Sequence, residues 1–338
     1  MISIVIPVLN EENNLPELRR RLLKASDSWG DTFEIVIVDD GSTDRTPAIL
    51  RSFHEDDPRF KVVRLSRNFG HQVAISAGLE YALGDAVAVM DADLQDGPDE
   101  LTHMLTKWRE GYEVVYAVRR RRKENIFKQA AYWAFYRLLA WASSVQIPLD
   151  SGDFSVMDRR VVDALNDMPE RSRFMRGLRS WVGFRQVGIE CERNARFSGE
   201  VKYTFTKLVK LALDGLVNFS ERPLQLLSVA GLGIAGLAFA GMLYSLISRL
   251  YDISVFGVKP ADAPGWTSLI LVVLFLGGVQ LIGMGIIGEY LGRVYGEVKR
   301  RPLYVVREHF GFSTNEKNSR RNSLGFPTRH QADSPHDE

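Results

Sequence analysis

The chain has 338 residues, of which 45% are hydrophobic and 25% charged, the composition of a folded protein able to bury a sizeable core. Lys and Arg together number 43 against 42 for Asp and Glu, so no global charge draws it to nucleic acid or to an acidic partner. The one cysteine, Cys191, cannot close an intrachain disulfide, and six histidines without Cys partners show no zinc-site spacing; a reducing compartment fits.

The N-terminus, Met1-Ile2-Ser3-Ile4-Val5-Ile6-Pro7, has no basic stretch before its apolar run and no small-residue cleavage site. No signal peptide is expected, and the N-terminal domain is expected to stay in the cytosol. Short β-rich apolar runs recur at residues 2–6, 34–38, 61–65, 86–90 and 113–118, separated by stretches of helical periodicity. Alternation of this kind predicts an α/β domain with a mostly parallel sheet covered on both faces. In such sheets ligands bind beyond the carboxyl ends of strands. The polar clusters Asn10-Glu11-Glu12, Asp39-Asp40-Gly41-Ser42 and Asp91-Ala92-Asp93 all fall there.

After the fifth run, Arg119-Arg120-Arg121-Arg122-Lys123 leads into a stretch with Tyr132, Trp133, Phe135, Tyr136 and Trp141. Cations followed by amphipathic rings suit an interfacial helix, with a core helix after a solvated basic loop as the plainer alternative. No charged residue occurs at 224–248 or at 266–288, and each run is long enough to span hydrocarbon. The mean hydropathy of −0.12 averages these runs with a polar first two-thirds. Gly231, Gly233, Gly236 and Gly241 suit close helix contact. Lys299-Arg300-Arg301 follows the second run, whereas 249–265 is charge-balanced, which predicts both termini in the cytosol. From about residue 314 onward no apolar periodicity remains, the pattern of a disordered tail.

Asp91-Ala92-Asp93 closes an apolar run, where two carboxylates on a short turn can hold Mg²⁺ or Mn²⁺ and leave positions for diphosphate oxygens. Such triplets are common on surface turns, so the motif draws its meaning from context. That context is Ile4-Val5-Ile6-Pro7-Val8-Leu9-Asn10-Glu11-Glu12, Val38-Asp39-Asp40-Gly41-Ser42-Thr43-Asp44, Asp91-Ala92-Asp93-Leu94-Gln95-Asp96, and Arg176-Gly177-Leu178 through Trp181-Val182-Gly183-Phe184. With these stretches the sequence resembles family 2 glycosyltransferases of the GT-A fold, and among them the polyprenyl-phosphate glycosyltransferases that include dolichol-phosphate mannose synthase and the bactoprenol glucosyltransferases. Leu213-Asp214-Gly215, Phe219-Ser220, Pro223-Leu224 and Gly288-Glu289-Tyr290-Leu291-Gly292-Arg293 continue the likeness, and the two apolar runs place it nearest the bactoprenol branch.

The resemblance implies a cytosolic GT-A domain over 1–222 with interfacial helices at about 124–145 and 205–222. It further implies a two-helix transmembrane region over 223–292, with spans at about 224–248 and 266–288, and a basic, mostly disordered cytosolic tail over 293–338. Pro7, Glu11, Asp39, Asp40 and Asp91 would line the nucleotide site, one of the paired aspartates bonding the base. Asp91, Asp93 and Gln95 would surround the metal and diphosphate, with Asp93 and Asp153 as the catalytic carboxylates. Asp153 invites the role of general base. Yet a phosphate monoester already carries about 1.5 to 2 negative charges at neutral pH, which favours positioning or metal-linked electrostatics over base catalysis, with turn capping the plain alternative. Arg119, Lys128, Arg137 and Lys202 are candidates for the acceptor phosphate, although Val201 stands where the family usually has a small hydroxyl before the lysine, and Gly97-Pro98 where it usually has two prolines. The implied partners are a nucleotide-sugar donor, a polyprenyl phosphate acceptor and the membrane, with no nucleic acid; a homo-oligomer stays open. The implied reaction is inverting transfer of a sugar, UDP-glucose being the first choice of donor over GDP-mannose or a UDP-amino sugar. A processive polysaccharide synthase would typically need a larger membrane bundle than two spans.

Overall fold

The computed structural model of the protein describes residues 1–119, 151–171, 173–191, 222–250 and 266–312. They fall in two compact units, one holding residues 1–119, 151–171, 173–191 and 300–312 and the other residues 222–250 and 266–299.

In the first unit β1 (Ile2–Val8), α1 (Leu15–Ser26), β2 (Phe33–Asp39), α2 (Thr46–Asp56), β3 (Phe60–Leu65), α3 (His71–Tyr81), β4 (Ala86–Val89), α4 (Glu100–Arg109) and β5 (Val114–Arg119) follow one another, and the five strands match the five apolar runs. β6 (Ser151–Asp158), α5 (Arg159–Asn166), α6 (Met175–Trp181) and β7 (Gln186–Cys191) come next, and β8 (Val306–Phe310) closes the unit. The sheet order is β7-β5-β6-β4-β1-β2-β3-β8. β1 pairs parallel with β2 and β4, β2 with β3, and β5 with β7, while β6 and β8 run antiparallel to their neighbours.

Both faces of the central strands are covered, which is why β1 reads as an apolar run interrupted only by Ser3 and is buried throughout. Ile2, Ile4, Ile6 and Val8 join Ile35 and Ile37 in a cluster with Leu15, Leu18, Leu22, Leu50 and Trp29. On the other face α3 lies so close that a Cβ on Gly78 would sit 2.1 Å from Val5 Cγ1, so only glycine fits.

β1 is also the switch point of the sheet. The chain winds outward through β2 and β3 on one side, then crosses to β4 on the other, which leaves a crevice beyond the carboxyl ends of β1 and β4. Pairing of β1 with β4 stops at Val5 and Val89, with Met90 N–H donating to the Val5 carbonyl, whereas β1 continues to Val8 beside β2. Backbone groups alternate sides along a strand, so Pro7 faces the side where β4 has ended, and its missing N–H costs no ladder bond.

Sequence reasoning placed no strand at β6, β7 or β8. β6 opens on Ser151-Gly152-Asp153, and β8 is Val-Arg-Glu-His-Phe, so neither carries the apolar run that marks a buried strand. Within the stretch expected as a basic, mostly disordered tail from residue 293, a helix continues to Val298 and β8 then joins the β3 edge, while the part expected to be disordered, from about residue 314, lies outside the described residues. Ion pairs of Glu308 with Arg64 and Arg51, together with Tyr304 Oη donating to Glu80 Oε2, hold β8 there despite its polarity.

The described part of the second unit is two helices, α7 (Arg222–Leu250) and α8 (Trp266–Val298). α8 contains the segment Phe275–Val298, long and apolar enough to cross a membrane, while the apolar stretch of α7, Leu227–Ala240, is shorter. Large apolar side chains such as Leu232, Leu237, Leu281 and Met284 are exposed on these helices. Close contact occurs where Gly283 of α8 meets the Leu227 side chain of α7. The expected interfacial helices lie outside the described residues, save for Arg222 at the start of α7.

Candidate active site

Three loops border one side of the crevice, and hydrogen bonds between them fix their shape. Asn10 N–H donates to Ser42 Oγ (2.9 Å), Glu11 N–H to Thr46 Oγ1 (3.0 Å) and Thr43 N–H to Asn10 Oδ1 (2.9 Å). Asn14 Nδ2 donates to Glu11 Oε2 at 2.6 Å. These bonds tie the loop after β1 to the loop after β2. Asn10 adopts φ +56°, a left-handed conformation that asparagine tolerates well.

Asp39 and Asp40 hold this arrangement from below. Asp39, with 1% of its side chain exposed, accepts the Ser42 N–H at 2.9 Å and pairs with Arg64 Nε at 3.2 Å. Asp40 accepts the N–H groups of Phe69 (2.7 Å) and Gly70 (2.9 Å), anchoring the loop that enters α3. Burial raises the Asp40 pKa, opposed by those two backbone donors. Gly41 makes the anchorage possible. At φ +76° a Cβ there would lie 2.5 Å from the Arg67 carbonyl carbon.

The other side is built around Asp153, near the start of β6. Arg176 of α6 grips its carboxylate in a bidentate pair, Nε to Oδ1 at 2.9 Å and Nη2 to Oδ2 at 3.1 Å, and Gln72 Nε2 adds a bond of 3.2 Å. Gln72 Oε1 in turn accepts the Met175 N–H at 2.8 Å, locking α3 to the start of α6. His71 Nε2 stands between two carboxylates, 3.5 Å from Asp153 Oδ2 and 3.4 Å from Asp91 Oδ1. Desolvation works to raise the Asp153 pKa, but His71 and the Arg176 guanidinium outweigh it and hold the group well below the usual carboxylate range. Desolvation likewise opposes a charged His71, and the two carboxylates turn the balance so that its pKa is raised. Arg179, one helical turn beyond Arg176, is buried with Nε and Nη2 lacking hydrogen-bond partners. It lines a small cavity with Asp153, Ser155 and Met175, and desolvation brings its pKa down to about 10.

Asp91 and Asp93 follow β4 at the mouth of the crevice. The turn is tight: Gln95 N–H donates to Asp93 Oδ1 at 3.1 Å, and Leu94 has φ +59°. Desolvation raises the Asp91 pKa, and the charges of Asp153, Asp93 and Asp96 add to it against the opposing effect of His71. Asp91 Oδ1 is buried and accepts no hydrogen bond, only the ion contact with His71. Crowded carboxylates with a buried oxygen lacking a hydrogen bond fit a hard divalent cation. Among the described residues no group of three or more His, Cys, Asp or Glu side chains is arranged to hold a metal ion by itself. Two carboxylates completed by substrate phosphate and water is an arrangement usual for Mg²⁺.

The structure thus gathers Asp91 and Asp153 around His71, and Pro7, Glu11, Asp39 and Asp40 around the crosslinked loops. Arg119 ends β5, while Lys128, Arg137 and Lys202 lie outside the described residues. Sequence reasoning gave no role to His71, Gln72, Arg176 or Arg179. The spacing of Arg176 and Arg179 on one helix face was the available signal, whereas nothing local marks His71 and Gln72 as meeting a strand 81 residues on.

A doubly wound sheet with a carboxylate-lined crevice at its switch point defines an α/β enzyme of the nucleotide-binding kind. The profile described as "Glycosyl transferase family 2" matches residues 3–165. An uncharacterized glycosyltransferase of Bacillus subtilis is 46% identical over 310 residues, covering 91% of this chain and 94% of that protein. One of Synechocystis is 46% identical over 311 residues, covering 92% and 96%. The SfII prophage-derived bactoprenol glucosyl transferase of Shigella flexneri is 39% identical over 309 residues, covering 91% and 97%. The chain belongs to glycosyltransferase family 2, and its sheet is the GT-A fold of that family.

Proposed function

We propose that this enzyme transfers a single glucose, with inversion, from UDP-glucose to undecaprenyl phosphate at the cytosolic face of a membrane. The observation that carries the proposal is the extent of similarity to the bactoprenol glucosyl transferase. It covers 97% of that protein and 91% of this chain, and so takes in α7 and α8 as well as the catalytic domain.

In this proposal Pro7, Glu11, Asp39 and Asp40 form the donor wall, the two aspartates through the loops they hold. A divalent cation, Mg²⁺ or Mn²⁺, held by Asp91 and Asp93 with Gln95 alongside, would offset the charge that grows on the departing diphosphate. Asp153 stays ionised and fixes Arg176, Gln72 and His71 beside the reaction path. The acceptor oxygen is already anionic and attacks the anomeric carbon from the face opposite the diphosphate, so no protein base is required. Arg119, Lys128, Arg137 and Lys202 are the cations we assign to the acceptor phosphate. α7 and α8 cross the membrane with both termini cytosolic, an arrangement that reporter fusions at either end would test.

Purified full-length protein, supplied with Mn²⁺, undecaprenyl phosphate and labelled UDP-glucose, should yield a lipid-extractable product one hexose heavier than the acceptor. Label that moves only from GDP-mannose or a UDP-amino sugar would reassign the donor. A growing polymer would instead favour a processive synthase.

A further inference from the structure

Glu308 lies on β8, beyond the apolar helices in the chain and 244 residues from its partner Arg64. Arg64 Nη1 donates to Glu308 Oε1 at 2.9 Å, while its Nε faces Asp39 Oδ2 at 3.2 Å. Asp39 accepts the Ser42 N–H, and Ser42 Oγ accepts the Asn10 N–H, each at 2.9 Å. One continuous series of polar contacts therefore runs from the C-terminal strand to the loops after β1 and β2, two of those that border the crevice.

Arg64 is the shared member of this series. Its side chain is 22% exposed, while the aspartate it faces is 1% exposed. A buried carboxylate needs a cation held in register, and a guanidinium held by two carboxylates samples fewer rotamers than one held by a single partner. The Arg64 hydrogen bond also keeps the Glu308 carboxyl below its usual range, so the strand presents a carboxylate to Arg64 at neutral pH. The backbone supports the same contact: β8 pairs with β3 at Arg64–Glu308, next to a register shift between Arg64 and Leu65.

We propose that Glu308 is a positioning residue for donor binding: it fixes Arg64, which fixes Asp39 and the loops after β1 and β2 in the shape that receives the nucleotide. The inference rests on the donor site proposed above. It makes β8 part of the enzyme's substrate-binding apparatus as well as an edge strand. Glu308 touches no substrate and acts through Arg64.

The test is nucleotide binding by the full-length protein in detergent with Mn²⁺, titrated with UDP and, in parallel, GDP. Glu308→Gln should weaken nucleotide binding roughly three- to fivefold, the scale expected for a partly exposed ion pair. It should raise KM for the donor by the same factor, with kcat and the acceptor KM unchanged. Glu308→Asp keeps the charge and should recover most of the affinity. Arg51→Ala removes the other cation on Glu308, at 3.2 Å, and should bind nucleotide like the wild type. Wild-type affinity in Glu308→Gln, an equal loss in Arg51→Ala, or failure of Glu308→Asp to recover affinity lost along with thermal stability would each overturn the proposal. Wild-type binding of GDP in place of UDP would count against the UDP assignment alone, and the variants would then be compared with GDP.

Discussion

The two sides of the crevice are assembled from different distances along the chain. On the β1–β2 side, Asn10 meets Ser42 and Glu11 meets Thr46, contacts that span 32 and 35 residues between consecutive strand-loop units. On the β4–β6 side, Asp153 meets Gln72 across 81 residues and Arg176 across 23, through a strand that runs antiparallel to its neighbours. The first side can be recognised from contiguous motifs, because hydroxyls and carboxylates placed just after strands can only reach the adjacent loop. The second is a charge cluster that exists only once β6 is inserted between β4 and β5. Its members compensate one another: Arg176 and His71 keep Asp153 ionised, and the carboxylates favour a charged His71.

Substitutions should separate the two sides by what they damage. The largest effect is expected at the mouth of the crevice. Asp93→Ala withdraws the metal ligand proposed above, whose value would be greatest in the transition state, so kcat should fall on the order of 10²-fold or more while the melting temperature holds. Near-normal turnover at saturating metal would remove Asp93 from the reaction. Gly41→Ala should act through the fold on the side we propose for the donor. Its Cβ would collide with the Arg67–Asn68 backbone, costing about 1–3 kcal/mol of stability in denaturant unfolding and weakening nucleotide binding. An unchanged unfolding midpoint would show that the two loops are not held against each other as described. The smallest effect belongs to Thr46→Ala, which removes one acceptor from the Glu11 N–H and should cost about 1 kcal/mol without altering kcat.

Most of the central sheet was legible because its strands are buried on both faces and therefore read as continuous apolar runs. Asp39, Asp40, Asp91 and Asp93 were legible because they end such runs. What escaped was whatever depends on partners remote in sequence. β8 has a Glu between Val306 and Phe310, where alternation alone would put an apolar side chain, and the guanidinium groups of Arg64 and Arg51 explain it. His71 opens α3 with no neighbouring metal-ligand pattern, and its meaning comes from two carboxylates 20 and 82 positions later. Asp153 was legible as a site residue only through family resemblance. Its immobilised, permanently ionised state follows from the α6 arginine and could not be read from residues 150–154.

That state is the central claim, and the pH–rate profiles of the wild type and Asp153→Asn test it most directly. A carboxyl with a depressed pKa contributes stability above its ordinary value of 3.8 and loses that contribution only as the pH falls toward the folded value, so it does not titrate between about pH 5 and 8. If Asp153 positions its neighbours, the variant should be slower, yet both enzymes should keep an acidic limb near about pH 6, the second ionisation of a phosphate monoester. An acidic limb that is present in the wild type and vanishes in Asp153→Asn would mean that Asp153 itself titrates as the base, and would contradict the account.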